Sequence, residues 1–405
     1  MIALSPRASG ARVKRLTRPL YLYAALEDFV LLYPVYALLF ADHGLSVPEI
    51  SSLFVIGAVC GMLLEVPSGA WADAVSRRLL LSVGPLLSAV GYALWFLVPA
   101  YWSFALGFVL WSAGSSLRSG SMEALVYEEL DHLGEAGRYA TVMGRVRAIG
   151  LVAVAAATAA ATPVLSVGGY FALGVASVLT CVLCALTGMA LPEHRVASAR
   201  HDDASGYVAV LRAGLGEVRD NRPVRGALLL VAVVTAVWGG LEEYVPLLAA
   251  ATGVSEATVP LLVLIVWGGV AVGGLLAGGA NRMPVRAFAA VLALASLVMA
   301  TGALTERPAG LVAVGAGFCV FQLASVIADA RLQRRITGPS RATVTSFAGI
   351  GMDAGTVVVY GVYAALSPFA AHGVIFALFA APYLCVAAAL AYGSAPAPSA
   401  STGSR

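Results

Sequence analysis

The sequence predicts an all-α polytopic membrane protein, with twelve transmembrane helices in two pseudo-symmetric halves of six. Three observations support this prediction. Hydrophobic residues make up 60% of the 405-residue chain, charged residues only 12%, and the mean hydropathy is +0.87, which is too apolar for a soluble fold. Apolar runs of about 20 residues, enough to cross ~30 Å of hydrocarbon, occur twelve times. Motifs of the first half also recur in the second half.

The twelve predicted spans follow one another with short connections. They cover residues 19–41, 48–71, 79–99, 102–126, 140–163, 168–191, 225–251, 258–280, 286–305, 308–330, 343–367 and 370–392. The longest polar interruption lies between the sixth and seventh spans, and its apolar residues fall at near-helical spacing, which predicts an amphipathic helix on the inner membrane face. The predicted organisation is a cytoplasmic tail (1–18), a six-helix half (19–191), a cytoplasmic linker (192–223), a second six-helix half (224–392) and a disordered tail (393–405).

The distribution of positive charge predicts the orientation. Of the 25 basic residues, all but Arg118, Arg145, Arg147 and Arg307 lie in the two tails or in the loops after even-numbered spans. Because cytoplasmic loops are enriched in Lys and Arg, we expect a multi-pass protein of a bacterial-type inner (plasma) membrane with both termini in the cytoplasm. The basic N-terminus has no cleavage site after a short apolar core, which indicates a retained tail.

Several chemistries are excluded or disfavoured. Lys14 is the only lysine, so the chain has no Gly-Lys-Ser/Thr nucleotide loop and does not use ATP directly. All five cysteines fall inside apolar runs, which favours packing over redox or metal chemistry. We therefore predict no cofactor, no metal site and no enzymatic activity.

A short charged turn separates the second and third spans. It reads Gly69-x-x-x-Asp73-x-x-x-Arg77-Arg78. Gly69 allows two helices to approach closely, and the Asp73 carboxylate suits a helix N-terminus. With apolar spans on both sides, the turn resembles the loop signature between the second and third helices of the major facilitator superfamily. The resemblance implies that Asp73 and Arg77 form a gate, with Asp73 near Ala342 at the start of the eleventh span; the alternative is an ordinary polar turn.

The two halves repeat each other. Glu27-Asp28 in the first span matches Glu242-Glu243 in the seventh, and the signature turn recurs around Gly278 without its carboxylate. Such repeats are typical of transporters built by duplication, whose substrate site lies between the halves near the membrane midplane. The alternative is chance similarity between apolar segments.

A charge cluster is predicted in the first half. Charged residues at membrane depth cost at least ~2.5 kcal/mol each and so require a cavity, a partner or a function. Glu27, Asp28, Arg118 and Arg147 all lie roughly 12–15 Å from the cytoplasmic ends of their spans. Arg118-x-Gly120 also resembles the fourth-helix motif associated with proton coupling in the superfamily. We therefore assign these four residues to proton coupling; alternatively, Arg118 extends to the cytoplasmic interface.

A second set of residues is predicted to bind substrate. Glu242, Glu243 and Asp353 lie deep in the second half, where the sequence offers no basic residue at comparable depth. Together with Tyr33 and Trp238, they would suit a lipophilic cation through charge and cation–π contacts. Adjacent helical residues project about 100° apart, so only one residue of each acidic pair can face a given cavity. The alternatives are that the acids face a water-filled cavity and that the aromatic rings only pack.

The resemblance covers essentially the whole chain and implies a secondary active transporter that works by alternating access. We predict a monomer in the lipid bilayer that exports drug-like or secondary-metabolite amphiphiles in exchange for protons, without a nucleic-acid partner. The fifth span departs from the antiporter pattern, because an alanine-rich run follows Gly150 and Pro163 stands apart from Gly168-Gly169. A proton-coupled importer of a small nutrient therefore remains the same-fold alternative. A membrane-embedded enzyme and a sensor are disfavoured because the sequence offers no extramembrane domain.

Overall fold

Helices form every regular element that the computed structural model describes, over residues 6–194, 222–280, 283–335 and 341–393. The first half contains α1 (Pro6–Asp28), α2 (Tyr36–Asp42), α3 (Val47–Ala74), α4 (Arg77–Leu97), α5 (Tyr101–Arg118), α6 (Ser121–His132) and α7 (Tyr139–Met189). The second half contains α8 (Arg222–Glu242), α9 (Val245–Ala251), α10 (Val259–Ala280), α11 (Val285–Leu304), α12 (Gly310–Arg335), α13 (Arg341–Leu366), α14 (His372–Leu378) and α15 (Ala380–Gly393). The predicted all-helical membrane fold is confirmed.

Nine helical segments among these described residues are long and apolar enough to cross a membrane. The longest, Ala136–Met189, contains the predicted fifth and sixth spans, joined at Gly169, whose φ of 61° only glycine adopts readily. The predicted first and fourth spans are not among the nine, because the helices that cover them, α1 and α5, are not apolar enough over a membrane-spanning length. The helices are consistent with twelve spans.

Two breaks occur at equivalent places in the repeat. Helix α1 ends at Asp28 and α2 starts at Tyr36, whereas α8 ends at Glu242 and α9 starts at Val245. A proline lies shortly after each acidic pair: Pro34 in the turn that follows Asp28, and Pro246 in the first turn of α9, a position that proline favours. Both acidic pairs therefore lie at the C-terminal end of a helix within a predicted span.

The described residues divide into two compact units. The first contains residues 6–194, 254–264 and 363–365, and the second contains 222–253, 265–280, 283–335, 341–362 and 366–393. Of the predicted linker, the amphipathic segment lies outside the described residues, and so does the C-terminal tail after Gly393.

The core of the first unit includes part of the predicted N-terminal tail. Helix α1 already begins at Pro6, and Leu16 and Leu20 are buried against Leu125 and Val142. Val13, Leu16 and Leu20 recur at helical spacing and form an apolar stripe, which explains why this basic segment is helical and packed.

In the second unit, small residues bring α8 and α13 into close contact. A Cβ placed on Gly355 would lie 2.7 Å from the Ala236 Cβ, and one on Gly240 would lie 2.7 Å from Val359. Small residues spaced by four let helix backbones approach closely in membranes. We call this contact between α8 and α13 the seam.

Candidate functional site

The first break holds a buried ion pair. The Nε of Arg118 lies 2.7 Å from Oε1 of Glu27, and the two side chains are 13% and 22% exposed. Arg118 is the last residue of α5 and Glu27 the penultimate residue of α1. The C-terminal end of a helix carries partial negative charge. This charge attracts the Arg118 guanidinium at the end of α5. It repels the Glu27 carboxylate at the end of α1, which Arg118 therefore stabilises.

Glycines make room for the Arg118 side chain. A Cβ on Gly84 would lie 2.7 Å from the Gly114 carbonyl oxygen and 2.8 Å from Cγ of Arg118. Helices α4 and α5 therefore approach closely beside the arginine stem. On the other side, the Tyr23 hydroxyl donates to the Leu81 carbonyl oxygen at 3.0 Å, which links α1 to α4 one turn before Glu27.

Asp28 and Arg147 do not share this ion pair. The exposed Asp28 carboxylate abuts Gly150 of α7, where any larger side chain would displace it. Arg147 lies 3.6 Å from Glu123, and both side chains are largely exposed, at 78% and 56%. The structure thus brings Glu27 and Arg118 together, with Asp28 beside Glu27, and places Arg147 with a different acid.

Tyr33 belongs to an aromatic cluster in the first unit. Its ring centroid lies 5.7 Å from Trp111 in an edge-on arrangement and 5.8 Å from Tyr36. Tyr36 continues the cluster to Trp95 and Phe108. Tyr33 is half-buried and Tyr36 is buried, so Tyr33 is the member of this pair that retains an accessible edge.

At the second break, the two glutamates have aromatic side chains near them. The Glu242 carboxylate interacts with the Trp267 side chain of α10. Glu243 acts electrostatically on the Tyr360 hydroxyl of α13, and the rings of Tyr360 and Tyr244 lie 6.1 Å apart. Both carboxylates are half-buried.

The other two residues assigned to substrate binding lie in the same unit. Trp238 is half-buried, and its indole N–H donates to the Ser325 hydroxyl at 3.0 Å, so this N–H joins α8 to α12. The ring itself lies 6.2 Å from Phe318. Asp353 is exposed on α13 and is one of the acids that act on Tyr360.

The predicted gate residues lie in the first unit, where α3 ends and α4 begins. Arg77 forms an ion pair with Glu128 of α6, and Arg78 is exposed. Glu193 accepts hydrogen bonds from the Ser76 hydroxyl at 2.5 Å and the Arg77 backbone N–H at 2.8 Å. Glu193 therefore caps the N-terminus of α4. Gly69 and Asp73 belong to the last part of α3, and the surroundings of Gly69 and the side chain of Asp73 lie outside the described part of the structure.

The sequence indicated Trp267 and Tyr360 only as aromatic residues of candidate cavity helices, and it did not indicate Ser325. The repeat carried one usable signal, because Tyr23 and Trp238 both stand four residues before the first acid of their pair. Both turn out to donate a hydrogen bond to a neighbouring helix. Comparing the two repeats around the acidic pairs, rather than only at them, would have identified Tyr23 as the counterpart of Trp238.

The helical fold, the apolar spans and the repeated breaks define an integral membrane protein of the transporter class. The sequence matches the Major Facilitator Superfamily over residues 21–360. The chain belongs to this superfamily, which indicates a transporter of small molecules rather than an enzyme.

Solved structures support the same fold. The nucleoside transporter NupG superposes with a TM-score of 0.76 at 13% identity, covering 94% of this chain and 99% of that chain. A D-xylose-proton symporter gives a TM-score of 0.69 at 13% identity, with coverages of 93% and 97%. A bacterial homologue of the human lysosomal transporter Spinster gives 0.67 at 17% identity, with coverages of 96% and 97%. A search of curated proteins found no match. At these identities the similarity establishes the fold alone.

Proposed function

We propose that this protein is a proton-coupled secondary transporter that exports neutral or cationic amphiphiles, of the drug-like or secondary-metabolite kind, by alternating access. The observation that carries the proposal is the position of Glu27-Asp28 and Glu242-Glu243, each at the C-terminal end of a broken membrane helix. This end of a helix carries partial negative charge. Carboxylates placed there favour a proton or an organic cation over an anion.

Proton coupling is assigned to the first break. Protonation of Glu27 would remove the charge that holds Arg118, and Arg118 could then exchange partners during transport. Asp28 provides a second carboxylate beside this pair. Arg147 is assigned to coupling from its depth in the sequence, although its ion pair is with Glu123. This scheme is supported by the 2.7 Å contact between Glu27 and Arg118.

Substrate binding is assigned to the second break. Glu242, Glu243 and Asp353 supply negative charge, and the Trp238 ring supplies aromatic surface for cation–π contact. Tyr33 of the first unit is assigned to substrate binding by the same cation–π argument. The cytoplasmic gate is assigned to Gly69, Asp73, Arg77 and Arg78.

The protein is further proposed to act as a monomer in a bacterial-type inner membrane, with both termini in the cytoplasm. The excess of basic residues in the loops assigned to the cytoplasmic side supports this orientation.

The direction of transport is tested in membrane vesicles of both orientations. A fluorescent lipophilic cation should accumulate in inside-out vesicles when their lumen is acidic, and a protonophore should abolish the accumulation. Right-side-out vesicles should not accumulate the cation when the external medium is acidic, which is the condition that drives proton-coupled import. Proton-driven uptake only by right-side-out vesicles would instead establish the importer of a small nutrient.

The charge preference is tested with matched cationic, neutral and anionic amphiphiles in one vesicle preparation. At least one of Glu242→Gln, Glu243→Gln and Asp353→Asn should impair the cation while sparing the neutral compound. The two glutamate variants should differ in severity, because adjacent residues of a helix project about 100° apart and the Glu242 carboxylate interacts with Trp267. A wild-type preference for carboxylate or phosphate compounds would reject the assignment.

A further inference from the structure

A contact between three segments of the first unit brings two carboxyl groups together. Asp42 is the last residue of α2, Tyr170 lies in α7, and Glu256 begins the short 3₁₀ helix Glu256–Thr258 that leads into α10. All three residues belong to the first unit, because the segment 254–264 packs with it. The contact therefore ties the start of α10 to α2 and α7.

The geometry places the two acids within hydrogen-bonding reach of each other. The Tyr170 hydroxyl donates to Oε2 of Glu256 at 3.2 Å. The Asp42 carboxyl group is a hydrogen-bond neighbour of both Glu256 and Tyr170. An ionised carboxylate can only accept hydrogen bonds, so a hydrogen bond between Asp42 and Glu256 requires a proton on one of the two.

Within the described part of the chain, no basic residue forms an ion pair with Asp42 or Glu256. His43, next to Asp42, is turned towards its own helix and α5: its Nδ1 lies 2.7 Å from the Leu39 carbonyl oxygen, and its ring lies 6.3 Å from that of Phe104. Two like charges held this close disfavour double ionisation. One proton shared by the two carboxyl groups therefore stabilises the contact.

The two acids are accessible to protons from the medium. Asp42 and Glu256 are exposed, and Tyr170 is half-buried. Asp42 comes directly after the first predicted span, and Glu256 comes just before the eighth, at the ends opposite to the basic loops. The two acids also have similar places in the repeat, since Asp42 follows Asp28 by 14 residues and Glu256 follows Glu243 by 13. In the predicted orientation, the pair faces the outer medium.

We propose that Asp42 and Glu256 form a pH-sensitive latch. The latch holds the start of α10 against α2 and α7 while the two carboxyl groups share one proton. It opens when both groups are ionised, because the two negative charges then repel each other. The latch goes beyond the proposed function and does not rest on it, since it responds to the pH of the medium it faces and requires neither a substrate nor the Glu27–Arg118 pair.

The test is hydrogen–deuterium exchange of the full-length protein in nanodiscs, with rates corrected for the intrinsic effect of pH. Isolated Asp and Glu side chains titrate near pH 4, so a transition between about pH 5 and pH 8 indicates a shared proton. Peptides covering residues 254–264 should exchange at least about fivefold more slowly at the lower pH, because repulsion between two unit charges about 4 Å apart is worth roughly sixfold even in bulk water. Equal corrected rates at both pH values would overturn the proposal.

Two amide variants show whether the carboxyl pair is the group that titrates. Asp42→Asn and Glu256→Gln each keep a hydrogen-bond donor in the pair and remove one charge, so both should exchange slowly at both pH values. Glu306→Gln is the matched control, because Glu306 is an exposed acid in the connection between α11 and α12; it should keep the wild-type response. An amide variant that keeps this response, or that exchanges fast at both pH values, would overturn the latch.

Tyr170→Phe separates the hydroxyl from the two acids. It removes the donor to Glu256 and leaves both carboxyl groups in place. Exchange of residues 254–264 should become faster at both pH values, and the ratio between the two rates should stay as in wild type. Loss of the pH response in Tyr170→Phe would place the response in the hydroxyl rather than in the carboxyl pair, and this result would also overturn the proposal.

Discussion

Removing the positive charge of Arg118 should abolish proton coupling while leaving substrate movement. Two unit charges about 3 Å apart, close to the 2.7 Å contact of Arg118 with Glu27, attract by ~5–6 kcal/mol at an effective dielectric constant of ~20. Desolvation offsets much of this attraction, so the measurable quantity is the penalty for leaving one charge of a buried pair alone, about 3–5 kcal/mol. In Arg118→Ala, Glu27 avoids that penalty by staying protonated and can no longer release its proton during the cycle.

The assay compares two activities of the same proteoliposomes. Uptake driven by a pH gradient should fall to background in Arg118→Ala, whereas substrate counterflow, which requires no net proton movement, should continue. Arg145→Ala is the control, because Arg145 is exposed on α7 and lies outside the ion pair. Loss of both activities in Arg118→Ala would show a structural role, and retention of both would refute coupling through this pair.

Thermal unfolding gives an independent measure of the same contact. Glu27→Gln and Arg118→Gln should each destabilise the protein, but the double variant should lose less than the sum of the two, because neither charge is then left unpaired. Additive losses would show that the two side chains do not interact in the folded protein.

Three further predictions concern other parts of the chain. Asp73→Asn should reduce transport and leave substrate affinity in detergent within a few-fold, because Asp73 is assigned to the gate and not to the substrate site; unchanged transport at normal expression would contradict the gate. Gly355→Ala should destabilise the protein by about 1–3 kcal/mol through its clash with Ala236, whereas Gly361→Ala, with open space around it, should be neutral or stabilising; equal melting temperatures would contradict the packing of the seam. Glu193→Ala should cost about 0.5–2 kcal/mol in thermal unfolding, as other losses of a helix N-cap do, and an unchanged melting temperature would show that this cap contributes nothing.

The fold could be predicted from the sequence because a membrane helix is recognised from the position of apolar residues along the chain alone. Apolar length and loop charge locate helices along the chain, and the helices occur where the apolar runs are. The repeat also located the acidic pairs at Glu27 and Glu242. The breaks that follow them were not predicted, although Pro34 and Pro246 carried the signal.

The sequence was less informative about which charges meet. Depth in the membrane is only one coordinate, and it placed Arg118 and Arg147 at the same level as Glu27. The direction in which each side chain projects decided the outcome: Arg118 contacts Glu27, and Arg147 contacts Glu123. The capping of Arg77 by Glu193 joins residues more than a hundred positions apart, and single-sequence periodicity contains no information on such contacts.

The two breaks share a position in the repeat but differ in chemistry. At the first, Glu27 meets a permanent cation of the protein itself, so a proton can compete with Arg118 for the carboxylate. At the second, Glu242 interacts with the Trp267 side chain, and both glutamates act on Tyr360; aromatic rings of this kind attract an organic cation. A carboxylate beside an arginine suits exchange of a proton, whereas one beside aromatic rings suits binding of a substrate. The duplicated sequence has therefore kept the acid in both halves and changed its neighbours, and this difference is the physical basis for assigning coupling to one unit and binding to the other.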